Sequence, residues 1–198
     1  MKESNSQTHL TILQKDLPSM HGNREFSMKT SFYVADAITN ARIPANFRPA
    51  NQFDFNVTDI DNWQSSWNSD FIHQEGSEKY AFEVSDSREV LGLGAYKDTP
   101  EGFMVTVLYI ESAPHSNPTL TREKKYNGIG AALLAYGIQM SREYGYGGTI
   151  FLKAKTSQLW THYVNDFGAI PYSRVDPFAL MIDADAADQL LARYLEEE

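Results

Sequence analysis

The chain of 198 residues is 42% hydrophobic and 13% aromatic, enough to bury one core and to expect a single domain. Its formal net charge of −9 removes electrostatic support for a nucleic-acid partner and suits a cationic small molecule or a basic protein surface instead. With no cysteine in the sequence, disulfides, a thiolate nucleophile and thiolate zinc sites are excluded.

Residues 1–28 are polar apart from Leu10, Ile12, Leu13 and Leu17, and read as an arm or short helix preceding one domain over 29–198. Neither this segment nor any later one carries the apolar run of a signal peptide or a bilayer-spanning helix. The expectation is a soluble, cytoplasmic protein with no membrane partner. "TSFYVADAIT" (30–39) is strand-like, with Phe32, Val34, Ala37 and Ile38 as candidates for burial. The two prolines of "NARIPANFRPANQ" predict a loop. Over 54–74, Thr58 or Asp59 can cap a helix on which Ile60, Trp63, Trp67 and Phe71 recur at helical spacing, the tryptophans forming core or groove wall.

From residue 79 the hydrophobic period becomes two. "KYAFEVS", "EVLGLGAYKD" and "GFMVTVLYIES" predict an antiparallel meander joined by the turns "DSRE" and "DTPEG". A helix over 129–144 follows, closed by Gly145. "TIFLKAK" (149–155) is a buried strand, "SQLWTHYVNDFGA" a helix ending near Gly168, "FALMID" (178–183) a last strand and "DAADQLLARYLEEE" a last amphipathic helix. This order predicts an α+β, or mixed α/β, single domain.

The glycine pair in "KKYNGIGAALL" opens the helix at 129. A P-loop would need Gly-Lys-Ser/Thr after four spacers, and a dinucleotide-binding turn would need a small residue where Leu133 stands. The stretch instead resembles the phosphate-binding turn of the GNAT superfamily of N-acetyltransferases, Arg/Gln-x-x-Gly-x-Gly/Ala, with Lys125 in the first place, then Tyr126, Asn127, Gly128, Ile129 and Gly130. A plain glycine turn in an unrelated fold is the other reading. The likeness covers about residues 79–183. Within it, "LYIESAP" and "AKTSQLWTHYVNDFGA" are similar to a bacterial GNAT subgroup of unnamed substrate.

The resemblance implies the GNAT acyl-CoA N-acyltransferase fold, a central and mostly antiparallel sheet flanked by helices. It also implies acetyl-coenzyme A as co-substrate and no metal. Its pyrophosphate would lie on the backbone of Lys125 to Ala131, at a helix N-terminus whose free N–H groups and dipole favour an anion. Lys124 and Lys125 would add charge at the rim, and the amide near Ile110 would polarise the thioester carbonyl. Thr156 stands where the family commonly has asparagine.

Direct acetyl transfer to an amine needs a base, a polarised carbonyl and an acid for the thiolate. Glu111 is the candidate base, since strand alternation sets it on one face with Tyr109 and Val107. A solvated strand end is the alternative. His115 and Asn117 are candidates for base or substrate contact, although a loop histidine can equally be simply exposed. Tyr163 is the candidate acid, with His162 beside it. It lies five residues before Gly168, where the family tyrosine lies four before, and could instead be an ordinary core aromatic. A coenzyme A- or partner-binding module without catalysis is the other functional reading. The expected acceptor is a small-molecule or peptide amine, with polyamines, aminoglycosides and basic peptides favoured by the acidic charge. The C-terminal helix and N-terminal arm are candidate contacts for a homodimer.

Overall fold

The computed structural model describes residues 30–195. The expected N-terminal arm, with the apolar patch at Leu10 to Leu17, lies outside the described residues, as do the last three residues of the final helical stretch. Among the described residues a nine-stranded sheet carries four α-helices, a mixed α/β arrangement. The strands are β1 (Tyr33–Asp36), β2 (Arg42–Pro49), β3 (Ser77–Val84), β4 (Val90–Thr99), β5 (Met104–Ser112), β6 (Tyr126–Asn127), β7 (Ile150–Lys153), β8 (Ile170–Pro171) and β9 (Ala179–Ile182). The helices are α1 (Gln52–Thr58), α2 (Ile129–Glu143), α3 (Ser157–Phe167) and α4 (Ala184–Leu191).

The sheet order is β6-β1-β2-β3-β4-β5-β7-β9-β8, and every neighbouring pair is antiparallel except β5 with β7. The predicted meander is β3–β4–β5. It is extended by β2, which the prolines of 40–52 had marked as loop. Pro44 is tolerated because it enters the ladder through its carbonyl, which accepts from the Ser85 N–H at 3.0 Å and asks for no donor in return.

A second departure lies between α1 and β3. The helix expected through Trp63 and Trp67 is the shorter α1, begun by Asn51. Its side chain accepts from Phe53 N and Asp54 N, while Asp54 accepts from the Asn51 N–H at 2.8 Å. Thr58 does not cap a helix; its hydroxyl turns inward, donating to Phe55 O at 2.6 Å and accepting from Trp67 N at 2.9 Å. Residues 59–76 are then irregular, with Ile60 and Phe71 exposed and Trp67 fully buried. Ile38, another candidate for burial, is 92% exposed.

Two hydrophobic layers result. On one face, α2 packs over Leu91, Tyr96, Val105, Val107 and Ile150, with α4 packed against α2. Tyr96 is fully buried there, and its hydroxyl donates to Leu133 O at 2.8 Å. On the other face, α1 and the 59–76 segment bury Phe55, Trp67 and Ile72 against Ala81, Leu93, Ala95 and Tyr109.

Buried charge clamps α1 to β2 and β3. Arg48 holds Asp54 through two hydrogen bonds of 2.6 and 2.7 Å and donates from Nε to Glu83 at 2.8 Å; Arg88 reaches the same Glu83 at 2.6 Å. Burial raises the Asp54 carboxyl, but the guanidinium and the Asn51 N–H outweigh it and leave it below its ordinary value. Arg48→Ala would leave one of two buried carboxylates without a cation. It is expected to cost about 3 kcal/mol, read as a lower denaturation midpoint at unchanged slope.

Candidate functional site

The parallel pairing of β5 with β7 runs only from Val105↔Ile150 to Val107↔Leu152. Beyond it the strands part, and a narrow crevice lined by Leu108, Tyr109, Ile110, Lys155, Leu159 and Tyr163 opens between them. It adjoins a cleft of about 770 Å³ that runs from Glu111 and Asn117 across the start of α2 to α3.

The start of α2 forms one wall. Gly128 takes φ +92°, a left-handed conformation that a side chain would strain, and no side chain caps the helix. Around Gly130 nothing lies within 4 Å of where a Cβ would sit. The first-turn N–H groups of a 15-residue helix thus carry no side-chain cap, and their residues border the cleft. The preceding strand is fixed from behind: Ser116 Oγ accepts from Tyr126 N at 3.0 Å, and Lys125 N–H donates to His115 O at 2.9 Å.

Glu111 forms the floor. It is only 4% exposed, so the solvated strand end is not what the fold provides. Gln64 N–H donates to Oε1 at 2.6 Å and Trp67 Nε1–H to Oε2 at 3.2 Å, so the irregular 59–76 segment holds both oxygens. Burial pushes this carboxyl above its ordinary value, against the opposing pull of those donors, the Lys155 charge and the Tyr109 hydroxyl. The orientation has a local cause. The register passes from Ala95↔Tyr109 to Tyr96↔Val107, leaving Leu108 as an extra residue on β5. Strand alternation alone grouped Val107 with Tyr109 and Glu111. The bulge separates them, sending Val107 into the helix-side core and Tyr109 against Trp67 at 5.6 Å between rings.

Tyr163 faces the cleft from α3 and is half-buried. Its helix ends where Gly168 takes φ +66° and returns its N–H to Tyr163 O. Burial raises the phenol to about 12, with the nearby Tyr109 adding to the shift.

Of the residues singled out in the sequence, Ile110, Glu111, Asn117, Tyr126, Asn127, Gly128, Ile129, Gly130, Ala131 and Tyr163 line one cleft. Three others lie apart. The Lys125 ammonium is engaged by Glu89 at 2.7 Å, leaving Lys124 as the lysine at the rim. His115 turns toward Val90 O and Glu89. Thr156 caps α3 by accepting from Leu159 N at 3.2 Å. Gln64 and Lys155 line the cleft without any sequence signal having marked them, because both arrive through tertiary folding. Among the described residues, no group of three or more histidines and carboxylates could hold a metal, and no helix is long and apolar enough to cross a membrane.

No protein-family model and no curated protein matches the chain. Solved structures do. The chain is similar to the KacTA–DNA complex at 14% identity and TM-score 0.52, covering 75% of this chain and 99% of that one. It is similar to AtaTR bound with AcCoA at 15% identity and TM-score 0.50, covering 74% and 97%. The AtaT–AtaR complex bound to DNA gives 16% identity and TM-score 0.51, covering 73% and 98%. At these identities the likeness is one of fold.

Proposed function

We propose, on the GNAT fold that this chain shares with those structures, that it is an acetyl-coenzyme A-dependent N-acetyltransferase. The observation that carries the reading is a single cleft joining an uncapped helix start to a buried carboxyl across two parting strands. AtaTR bound with AcCoA supports the choice of co-substrate. The pyrophosphate would lie on the N–H groups at the start of α2, with Lys124 beside it. The thioester would reach toward the crevice, its carbonyl polarised by backbone N–H near Ile110.

The acceptor nitrogen then attacks the thioester carbon directly. The C–N bond forms, the C–S bond breaks, the amine proton goes to Glu111 and the departing sulfur takes a proton from Tyr163. A raised carboxyl suits the first transfer because a carboxylate held above its ordinary value is the stronger proton acceptor.

A second reading, a coenzyme A-binding module without catalysis, is favoured by one observation: both Glu111 oxygens already accept hydrogen bonds. Release of free thiol from acetyl-coenzyme A with a mixed amine panel separates the two. Thermal stabilisation by coenzyme A with no amine-dependent thiol would establish the second. Absence of stabilisation would remove both.

The Tyr163 assignment carries its own test. Tyr163→Phe is expected to slow the transfer step while leaving coenzyme A affinity and stability near the parent values, because only a cleft-facing hydroxyl is lost. Full turnover with reduced stability would return Tyr163 to the core.

A further inference from the structure

Lys155 follows β7 at the point where β7 parts from β5, and its side chain reaches across the crevice. Nζ donates to the Tyr109 hydroxyl and lies 4.1 Å from the centre of the Tyr109 ring. The same hydroxyl bonds Ser65 Oγ at 2.9 Å, so the phenol ties the ammonium to the segment that also holds Glu111. Lys153, beside Lys155 in the crevice, is neutralised by Asp176 at 2.6 Å. Among the described residues, no carboxylate lies within ion-pair distance of Lys155.

The wall of the cleft inverts the balance of the chain. The whole sequence carries −9, yet Lys124, Lys155 and Arg193 line the cleft against Glu111 and Asp166. Asp166 is itself paired with His162. An oriented ammonium with no carboxylate at ion-pair distance, one phenol away from the buried carboxyl, repels a second cation and attracts an oxyanion.

We propose that Lys155 anchors an oxyanion on the acceptor, so that the acceptor is an amine that also bears a carboxylate or phosphate close to the nitrogen, as an amino acid does. This rests on the acetyltransferase reading and replaces the polyamine-like acceptors suggested by net charge alone. The anion would sit over Lys155 while the amine faces Glu111. Opposite ends of one small molecule would thereby be read by opposite charges set around Tyr109.

The test uses matched acceptors: amino acids against their carboxamides, an aminoalkyl phosphate against the corresponding amino alcohol, and spermidine. In the parent protein kcat/KM should favour the charged member of each pair by roughly tenfold or more. Whether the carboxylate or the phosphate pair shows the larger ratio identifies the source of the anion. Lys155→Met should abolish the preference, the loss falling on the KM of the charged acceptor rather than on that of its uncharged partner. Lys155→Glu should shift the preference toward spermidine. Equal kcat/KM for charged and uncharged partners in the parent protein, or a preference that survives in Lys155→Met, overturns the proposal. Failure of the acetyltransferase reading shows differently, as no thiol release with any amine. The anchor is then decided by calorimetric binding of the same pairs, where equal affinity for both members overturns it.

Discussion

Glu111→Gln is expected to lower acetyl transfer by about 10²–10⁴-fold while coenzyme A affinity stays at the parent value. The amide keeps the shape of the side chain but cannot take the amine proton. In the parent, the rate should rise with pH through the raised carboxyl, because the base works only when ionised. That acidic limb should vanish in the glutamine variant. The stability profile supplies an independent check with a defined sign. A carboxyl whose value is raised by folding binds more protons in the native state than in the unfolded chain, so stability falls as pH rises through the window. The window opens near the ordinary carboxylate value of 4.5 and closes at the raised one. The parent should therefore lose stability relative to Glu111→Gln across that window and run parallel to it above. The variant has a cost of its own. Glutamine offers one acceptor oxygen to two donors, Gln64 N–H and Trp67 Nε1–H, and the donor left over costs about 1–3 kcal/mol. A folded glutamine variant with undiminished turnover would move the base to a water or to an acceptor that arrives deprotonated.

Gly130→Asp should abolish coenzyme A binding without unfolding the protein. Space for the side chain exists, since nothing beyond its chain neighbours and the helix's own backbone lies within 4 Å of its Cβ position. An acid in the first turn complements the helix dipole and should add about 0.3–1 kcal/mol to stability. The same carboxylate would occupy the region proposed for the pyrophosphate and repel it. For the parent protein, coenzyme A at one hundred times its dissociation constant should contribute roughly 2.7 kcal/mol in thermal denaturation. In Gly130→Asp that contribution should disappear. Gly128→Val removes binding less cleanly, because a β-branched residue at φ +92° strains the turn itself. If Gly130→Asp folds and retains the full stabilisation, the phosphate assignment to α2 is wrong.

Much of the scaffold was legible because its signals are local. The meander β3–β5, the turn into α2 and the glycine that ends α3 are each set by residues within a few positions of one another. The 59–76 segment shows the opposite case. Ile60, Trp63, Trp67 and Phe71 keep a helical spacing, yet only Trp67 is fully buried, and its surroundings come from Thr58, Tyr109 and Glu111. Periodicity registered the apolar residues but not the contact that uses one of them. At the cleft, the glycine turn and Glu111 could be picked out from sequence. Gln64 offers a backbone N–H that any residue carries, and Lys155 looks like an ordinary outward lysine after a strand. Neither has a signature until the chain folds. Tyr163 reaches the cleft despite its altered spacing from Gly168, so the glycine count alone does not decide where its side chain lies.

The extra residue at Leu108 divides β5 into two territories. Upstream, the odd-numbered Val105 and Val107 face the helix layer; downstream, the odd-numbered Tyr109 and Glu111 face the loop layer and Ile110 takes the helix side. Repacking under α2 can therefore proceed at Val105 or Val107 with little reach into the carboxyl's surroundings. Loss of a single residue at 108 would do far more than shorten the strand. Every later side chain would exchange layers, driving Glu111 toward Leu133 and Ile129 and presenting Ile110 to Trp67. The site thus tolerates substitution at Val105 or Val107 better than a change in the length of β5 between 107 and 109.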